Sequence, residues 1–199
     1  MENEIKKKSN GLKKGTITLL IIVAVVVIFG GFIWTTYNKL VTTNEKVNNQ
    51  WAQVETQYQR RFDLIPNLVN AVQGVMNQEQ DVFLGIAEAR TRYSGASSVS
   101  EKAAAAGQVE SALGRLLVVI ENYPTLKSSD NVTDLMTQLE GTENRVSVER
   151  KRYNDDVQVY NLMTKRIPTS WVAGMFGFSE KAYFESVEGS EEAPQVNFE

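Results

Sequence analysis

The chain has 199 residues, a formal net charge of −3, and neither cysteine nor histidine. It therefore offers no disulfide, no cysteine nucleophile, no Ser-His triad and no His/Cys zinc site, and no metal or cofactor is expected. The mildly acidic balance also argues against nucleic-acid binding, which needs a basic footprint.

Residues 1–14 carry Lys6, Lys7, Lys8, Lys13 and Lys14 against Glu2 and Glu4, a net of +3. An uncharged run follows from Thr16 to Trp34. As a helix rising about 1.5 Å per residue it reaches close to 30 Å, the thickness of a bilayer core. It is longer than the roughly 7–15 apolar residues of a cleaved signal peptide, and Phe29, Phe32, Ile33 and Trp34 crowd the positions where small residues mark a cleavage site. The reading is an uncleaved signal-anchor over 15–36, with Ile17 near its start and Trp34 and Tyr37 in the interfacial belt at its far end. The basic flank places the N-terminus in the cytoplasm and the rest outside the cell membrane, extracellular or periplasmic.

From residue 38 onward apolar groups recur at Leu40, Val47, Trp51, Val54, Tyr58, Ile65, Leu68, Val72 and Val75, a heptad seam for helix-on-helix packing. Neither Gly nor Pro separates Trp34 from this seam, so the anchor is expected to run straight into it. Arg61 interrupts the seam, and Pro66 is expected to kink the helix, with Asp63 capping the segment that restarts. The pattern continues through Val82, Phe83, Ile86 and Tyr93; a continuous helix and a turn within residues 77–80 both remain open.

Residues 94–98 read as a loop and Ser100 as the next N-cap. The stripe Val109, Leu113, Leu116, Leu117 and Ile120 makes a second amphipathic helix, ended by Tyr123-Pro124. Ser128 to Asn131 supplies another cap. A third seam then runs through Val132, Leu135, Leu139, Thr142, Val146, Glu149, Tyr153, Tyr160 and Thr164 to a stop at Pro168. Glu149 interrupts it as Arg61 interrupts the first. The apolar residues from Trp171 to Phe178, with Tyr183 and Phe184, are expected to dock on the bundle or the membrane surface, and 187–199 to form a disordered acidic tail. No segment alternates as a strand. The predicted fold is all-α: a transmembrane helix continuing into a long antiparallel three- or four-helix bundle over 37–186.

Several stretches carry a resemblance to a known family. They are Tyr37-Asn38-Lys39-Leu40-Val41, Arg60-Arg61-Phe62-Asp63-Leu64-Ile65-Pro66-Asn67-Leu68-Val69 and Glu121-Asn122-Tyr123-Pro124-Thr125-Leu126-Lys127, then Glu143-Asn144-Arg145, Arg152-Tyr153-Asn154 and Gly177-Phe178. In these the chain resembles the LemA family. The resemblance implies a bacterial protein with an N-terminal membrane anchor, an antiparallel helical bundle, no established enzymatic activity and a place among envelope proteins. Some relatives use a lipid-modified cysteine, which this chain lacks.

Two polar clusters stand out. Arg60, Arg61 and Asp63 lie beside Pro66; Glu143, Arg145, Glu149, Arg150 and Arg152 lie beside Tyr153 and Asn154. The sharper expectation pairs Arg61 with Glu149 across antiparallel helices, setting register more than stability. Paired carboxylates among Asp63, Glu143 and Glu149 can in principle serve acid–base chemistry, but long helices carry such residues for solubility. A non-enzymatic role is therefore expected: a scaffold or adaptor for envelope or membrane proteins, with homo-oligomers possible. Trp171, Phe176 and Phe178 are its candidate contact surface. The rival reading is a membrane-remodelling or self-assembling bundle.

Overall fold

The computed structural model describes residues 14–76 and 79–185, so the basic segment before residue 14 and the acidic tail lie outside the described residues. Among the described residues there are six helices: α1 (Lys14–Gln73), α2 (Gln80–Gly95), α3 (Val99–Glu121), α4 (Pro124–Lys127), α5 (Asp130–Lys165) and α6 (Thr169–Met175). No strand occurs among the described residues.

The 60-residue α1 passes from the apolar run into the heptad seam without interruption. At 1.5 Å per residue it is about 90 Å long. Its first third is exposed: Ile17, Leu19 to Val23, and Val25 to Phe29 all face outward. This helix is long and apolar enough to cross a membrane. Helix α3 satisfies the same test of length and composition, but Val109, Leu113, Leu116 and Ile120 face the bundle core.

Helices α1, α2, α3 and α5 form an up-down-up-down bundle. Lys46 bonds Asp156 at 2.6 Å, Gln50 bonds Glu149, and Arg61 meets Glu143, so residue numbers fall on α5 as they rise on α1. Helices α2 and α3 pack as a hairpin, joined to that pair through Tyr93 on Tyr58, Lys102 on Glu55, and Glu110 on Tyr58 and Arg150. The seams meet inside, with Val47, Val54, Tyr58, Ile65, Leu68 and Val72 of α1 in one core with Leu135, Leu139, Val146, Tyr153, Val157 and Tyr160 of α5. At about 25 cal/mol per Å² of apolar surface removed from water, such a continuous seam outweighs the weak helix propensity of its β-branched members.

The structure excludes the continuous helix, but the break begins at Gly74, ahead of residues 77–80, of which 77 and 78 lie outside the described residues. Helix α1 stops at Gln73, and Met76 rather than Val75 enters the core; Val75 is exposed. The amides of Val75 and Met76 both donate to the Val72 carbonyl and close the helix end. Pro66 lies within an unbroken helix, so Asp63 caps nothing; its carboxylate accepts from Gln59 Nε2 at 3.0 Å. The cap of α3 is Ser98, two residues before the expected Ser100. Its Oγ accepts from the Glu101 amide at 3.2 Å, and the Glu101 carboxylate accepts from the amides of Ser97 and Ser98. Those bonds to the Ser97 and Ser98 backbone hold the Glu101 carboxyl down to about 2. They favour the folded state above the usual carboxylate range, and the gain is lost as pH falls towards 2. Asn131 is likewise inside α5, where Ser129 holds the N-cap position.

Two features complete the bundle. Gly177 has φ +75°, the left-handed conformation that ends α6, and the Phe178 amide donates back to the Ala173 carbonyl at 2.9 Å. The chain then runs extended along α5 to residue 185. Asn161 accepts from the Lys181 amide and donates to the Lys181 carbonyl, each at 2.9 Å. Asn154 does the same for Phe184, at 2.8 and 3.0 Å, and Tyr153 Oη donates to the Ala182 carbonyl. Two asparagine amides thus stand in for a neighbouring strand.

Candidate functional site

The polar centre of the bundle joins α1, α3 and α5. Arg61, only 7% exposed, pairs with Glu143 Oε2. Arg150 reaches Glu143 Oε1 at 3.1 Å and Glu110 Oε1 at 3.2 Å, and Tyr58 Oη donates to the same Glu110 oxygen at 3.1 Å. Two guanidinium groups and two carboxylates therefore alternate in one neutral chain. Burial pulls the Arg61 guanidinium downward, opposed by the Glu110 charge, yet arginine remains charged in this setting. Burial first, and Glu110 second, push the Tyr58 phenol well above its usual range.

Aromatic rings close over this network. Tyr58 lies 5.2 Å from Tyr93 and 6.3 Å from a stacked Phe184, while Trp51 meets Tyr153 edge-on at 5.2 Å. The Arg150 guanidinium sits 5.1 Å from the Phe184 ring centroid, within cation–π range. Burial raises the Tyr93 phenol well above its usual range and the Tyr153 phenol to about 12. The Arg61 Nε and the Tyr93 hydroxyl are buried without a hydrogen-bond partner among the described residues. Beside Arg61 and Glu143 an open groove of about 530 Å³ separates α3 from α5, walled by Leu113, Leu117, Ile120, Met136 and Leu139.

The expected pair of Arg61 with Glu149 does not form. Glu149 instead accepts from Gln50 Nε2 at 2.6 Å and pairs with Arg152 at 2.7 Å, and Glu143 takes its place beside Arg61. Arg60, Asp63 and Arg145 are exposed around a shallow depression between α1 and α5, with Asn67 exposed and Pro66 half-buried one turn further along α1. Tyr123 and Pro124 begin the single turn of α4. Glu110 and Asn161 were not singled out by the sequence. Each is polar and stands next to an apolar stripe, three residues before Leu113 and directly after Tyr160, and that placement is the available cue. Among the described residues no group of acidic side chains is arranged to hold a metal ion.

At the far end of the bundle, α6 lies on α1. Val172 and Ala173 are buried with Leu40, and Phe32, Ile33, Met163 and Phe178 pack around them. Phe176 and Phe178 approach Tyr37 at 4.8 and 5.9 Å. Phe178 is half-buried, whereas Trp171 and Phe176 remain exposed.

Residues 50–198 match the model of the LemA family, three-quarters of the chain. The chain belongs to the LemA family. Its relatives include the magnetosome proteins MamQ 1 and MamQ 2 of Paramagnetospirillum magneticum, each 26% identical over 91% of this chain and 77% of the relative. The magnetosome protein MamQ of Magnetospirillum gryphiswaldense is 26% identical over 90% of this chain and 76% of its own length. With the exposed apolar third of α1, this kinship marks the chain as a membrane-associated LemA-family protein. The matched residues contain both polar clusters, the central network and α6.

Proposed function

We propose that this LemA-family protein is a non-enzymatic scaffold or adaptor, anchored by a single pass of α1 with its N-terminus in the cytoplasm and its bundle outside. The observation that carries the reading is the unbroken helix from the exposed apolar third of α1 into the bundle core. A flexible linker would let the domain tumble, whereas a continuous helix fixed by the α5 seam holds it at one height and orientation. Such rigidity suits the display of a binding surface to neighbouring membrane proteins.

The carboxylates weigh the same way. Glu143 and Glu110 are engaged by arginines, Glu149 by Arg152 and Gln50, and exposed Asp63 by Gln59. Glu143, Glu110 and Glu149 tie helices together and Asp63 bonds within α1, so a structural role accounts for them without acid–base chemistry. The names of the relatives place them with magnetosomes, a membrane setting, which supports membrane association and leaves this chain's own partners to be identified.

Photo-crosslinkers at exposed Arg60, Arg145 and Leu84, introduced one at a time in cells, test the reading. A scaffold yields discrete adducts with a membrane or envelope protein from at least one position. Absence of any adduct from all three, with the protein present at normal level, contradicts it.

A further inference from the structure

Helix α6 leaves an apolar surface uncovered. Ile167 is 72% exposed, Trp171 64% and Met175 66%, with Phe176 beside them. Trp171 and Met175 are four residues apart and share one face, while Val172 and Ala173 turn the opposite face onto α1. The place of this surface along α1 gives it a meaning. Because α6 packs against α1 from Phe32 to Leu40, it sits level with the end of the apolar run and with Trp34, itself 73% exposed. The fold therefore brings two tryptophans, 137 positions apart in the chain, to one level.

Charge points to the same occupant. Residues 15–44 and 157–179 contain no Asp or Glu, and the charges they carry are Lys39, Lys165 and Arg166. The next acid along the chain, Glu180, is engaged by Lys165 at 2.8 Å. A protein of net negative charge thus presents an apolar face rimmed by cations where its helix leaves the apolar run. That is the composition of an interfacial helix, with aromatic rings at headgroup depth and basic groups near lipid phosphates.

We propose that α6 and its flanks form a membrane foot. Ile167, Trp171, Met175 and Phe176 enter the interfacial region of the bilayer that α1 crosses, while Lys39 and Arg166 face its phosphates. Two attachment points, one spanning and one lying in the plane, fix both the tilt of α1 and its rotation about its own axis. The foot rests on the reading of α1 as a membrane span, and the test separates the two.

The full chain, reconstituted into vesicles of phosphatidylcholine and phosphatidylglycerol, is prepared with one tryptophan at a time. W34F/W51F leaves Trp171, W51F/W171F leaves Trp34, and W34F/W171F leaves Trp51. Lipids brominated near the top of their acyl chains are expected to quench most of the emission of Trp171 and of Trp34, and to spare Trp51 in the bundle. Quenching of Trp34 alone, with Trp171 quenched by aqueous iodide, overturns the foot and leaves the span standing. Quenching of neither overturns both. A Met175→Cys nitroxide needs no tryptophan change: relaxation by oxygen but not by a water-soluble nickel chelate is expected. Relaxation by the chelate, or a disulfide to Met175→Cys of a second copy, contradicts the foot.

Discussion

Glu143→Leu is expected to destabilise the bundle by about 3 kcal/mol, because it leaves the Arg61 guanidinium buried without its carboxylate. Removing one partner of a buried ion pair costs about 3–5 kcal/mol. The lower end applies here, since the Glu143 side chain is 37% exposed and water screens part of the interaction. The opposite deletion has a different consequence. Arg61→Met removes the buried charge itself and keeps most of the aliphatic volume, and Glu143 retains Arg150 at 3.1 Å. Its expected cost is below about 1 kcal/mol, and Arg61→Met/Glu143→Leu should recover most of the loss caused by Glu143→Leu alone. Thermal unfolding of the full chain in detergent, followed by circular dichroism, measures the order. With about 2–4 °C per kcal/mol for a domain of this size, Glu143→Leu lowers the midpoint by roughly 6–12 °C. An Arg61→Met protein less stable than Glu143→Leu would mean that the network acts through net attraction rather than through avoidance of an unpaired charge.

Phe184→Ala should cost about 3–4 kcal/mol, a large effect for a residue so near the described C-terminal end. Phe184 is 5% exposed and fills the space between Trp51, Tyr58 and the Arg150 guanidinium. Truncation leaves a cavity beside the Arg150 guanidinium and removes the ring that packs on it. Asn154→Ala acts on the same segment by another route. It strands the amide and carbonyl of Phe184 and should cost about 1–3 kcal/mol. Amide hydrogen exchange separates the two mechanisms. Exchange at the Phe184 amide rises sharply in Asn154→Ala, while the Lys181 amide, held by Asn161, stays protected. Loss of less than about 1 kcal/mol in Phe184→Ala would show that residues 179–185 rest on the bundle without supporting it.

The helices were legible because their seams follow a single rule, with apolar side chains three or four positions apart wherever two helices face each other. Leu40 to Val72 and Val132 to Tyr160 needed nothing from the rest of the chain. The polar pairing was harder to read, since an antiparallel register depends on where α1 stops and how α2 to α4 return the chain. Glu149 sits at a seam position by spacing, but the register carries it along α1 to Gln50 and sets Glu143 opposite Arg61. The α3 cap was legible yet misplaced, for Ser98 and Glu101 stand at capping-box spacing and Ser100 does not. The strand-like seating of residues 179–185 was hidden. Its hydrogen bonds come from Asn154 and Asn161 on a helix, and no local pattern in Lys181 to Phe184 announces them. Glu110 stayed hidden for a related reason, as one acid on an exposed-looking edge of α3 becomes central only when α1 and α5 close over it.

A single measurement bears on the central claim that α1 crosses the membrane and holds the bundle outside. The chain contains no cysteine, so Ser98→Cys in the bundle and Ser9→Cys before the apolar run each introduce one reactive site. Intact cells are treated with a membrane-impermeant maleimide. Labelling of Ser98→Cys, with Ser9→Cys labelled only after the membrane is opened, is the predicted result and directs the search for partners to the envelope. Labelling of both sites, of neither, or of Ser9→Cys alone in intact cells would contradict it.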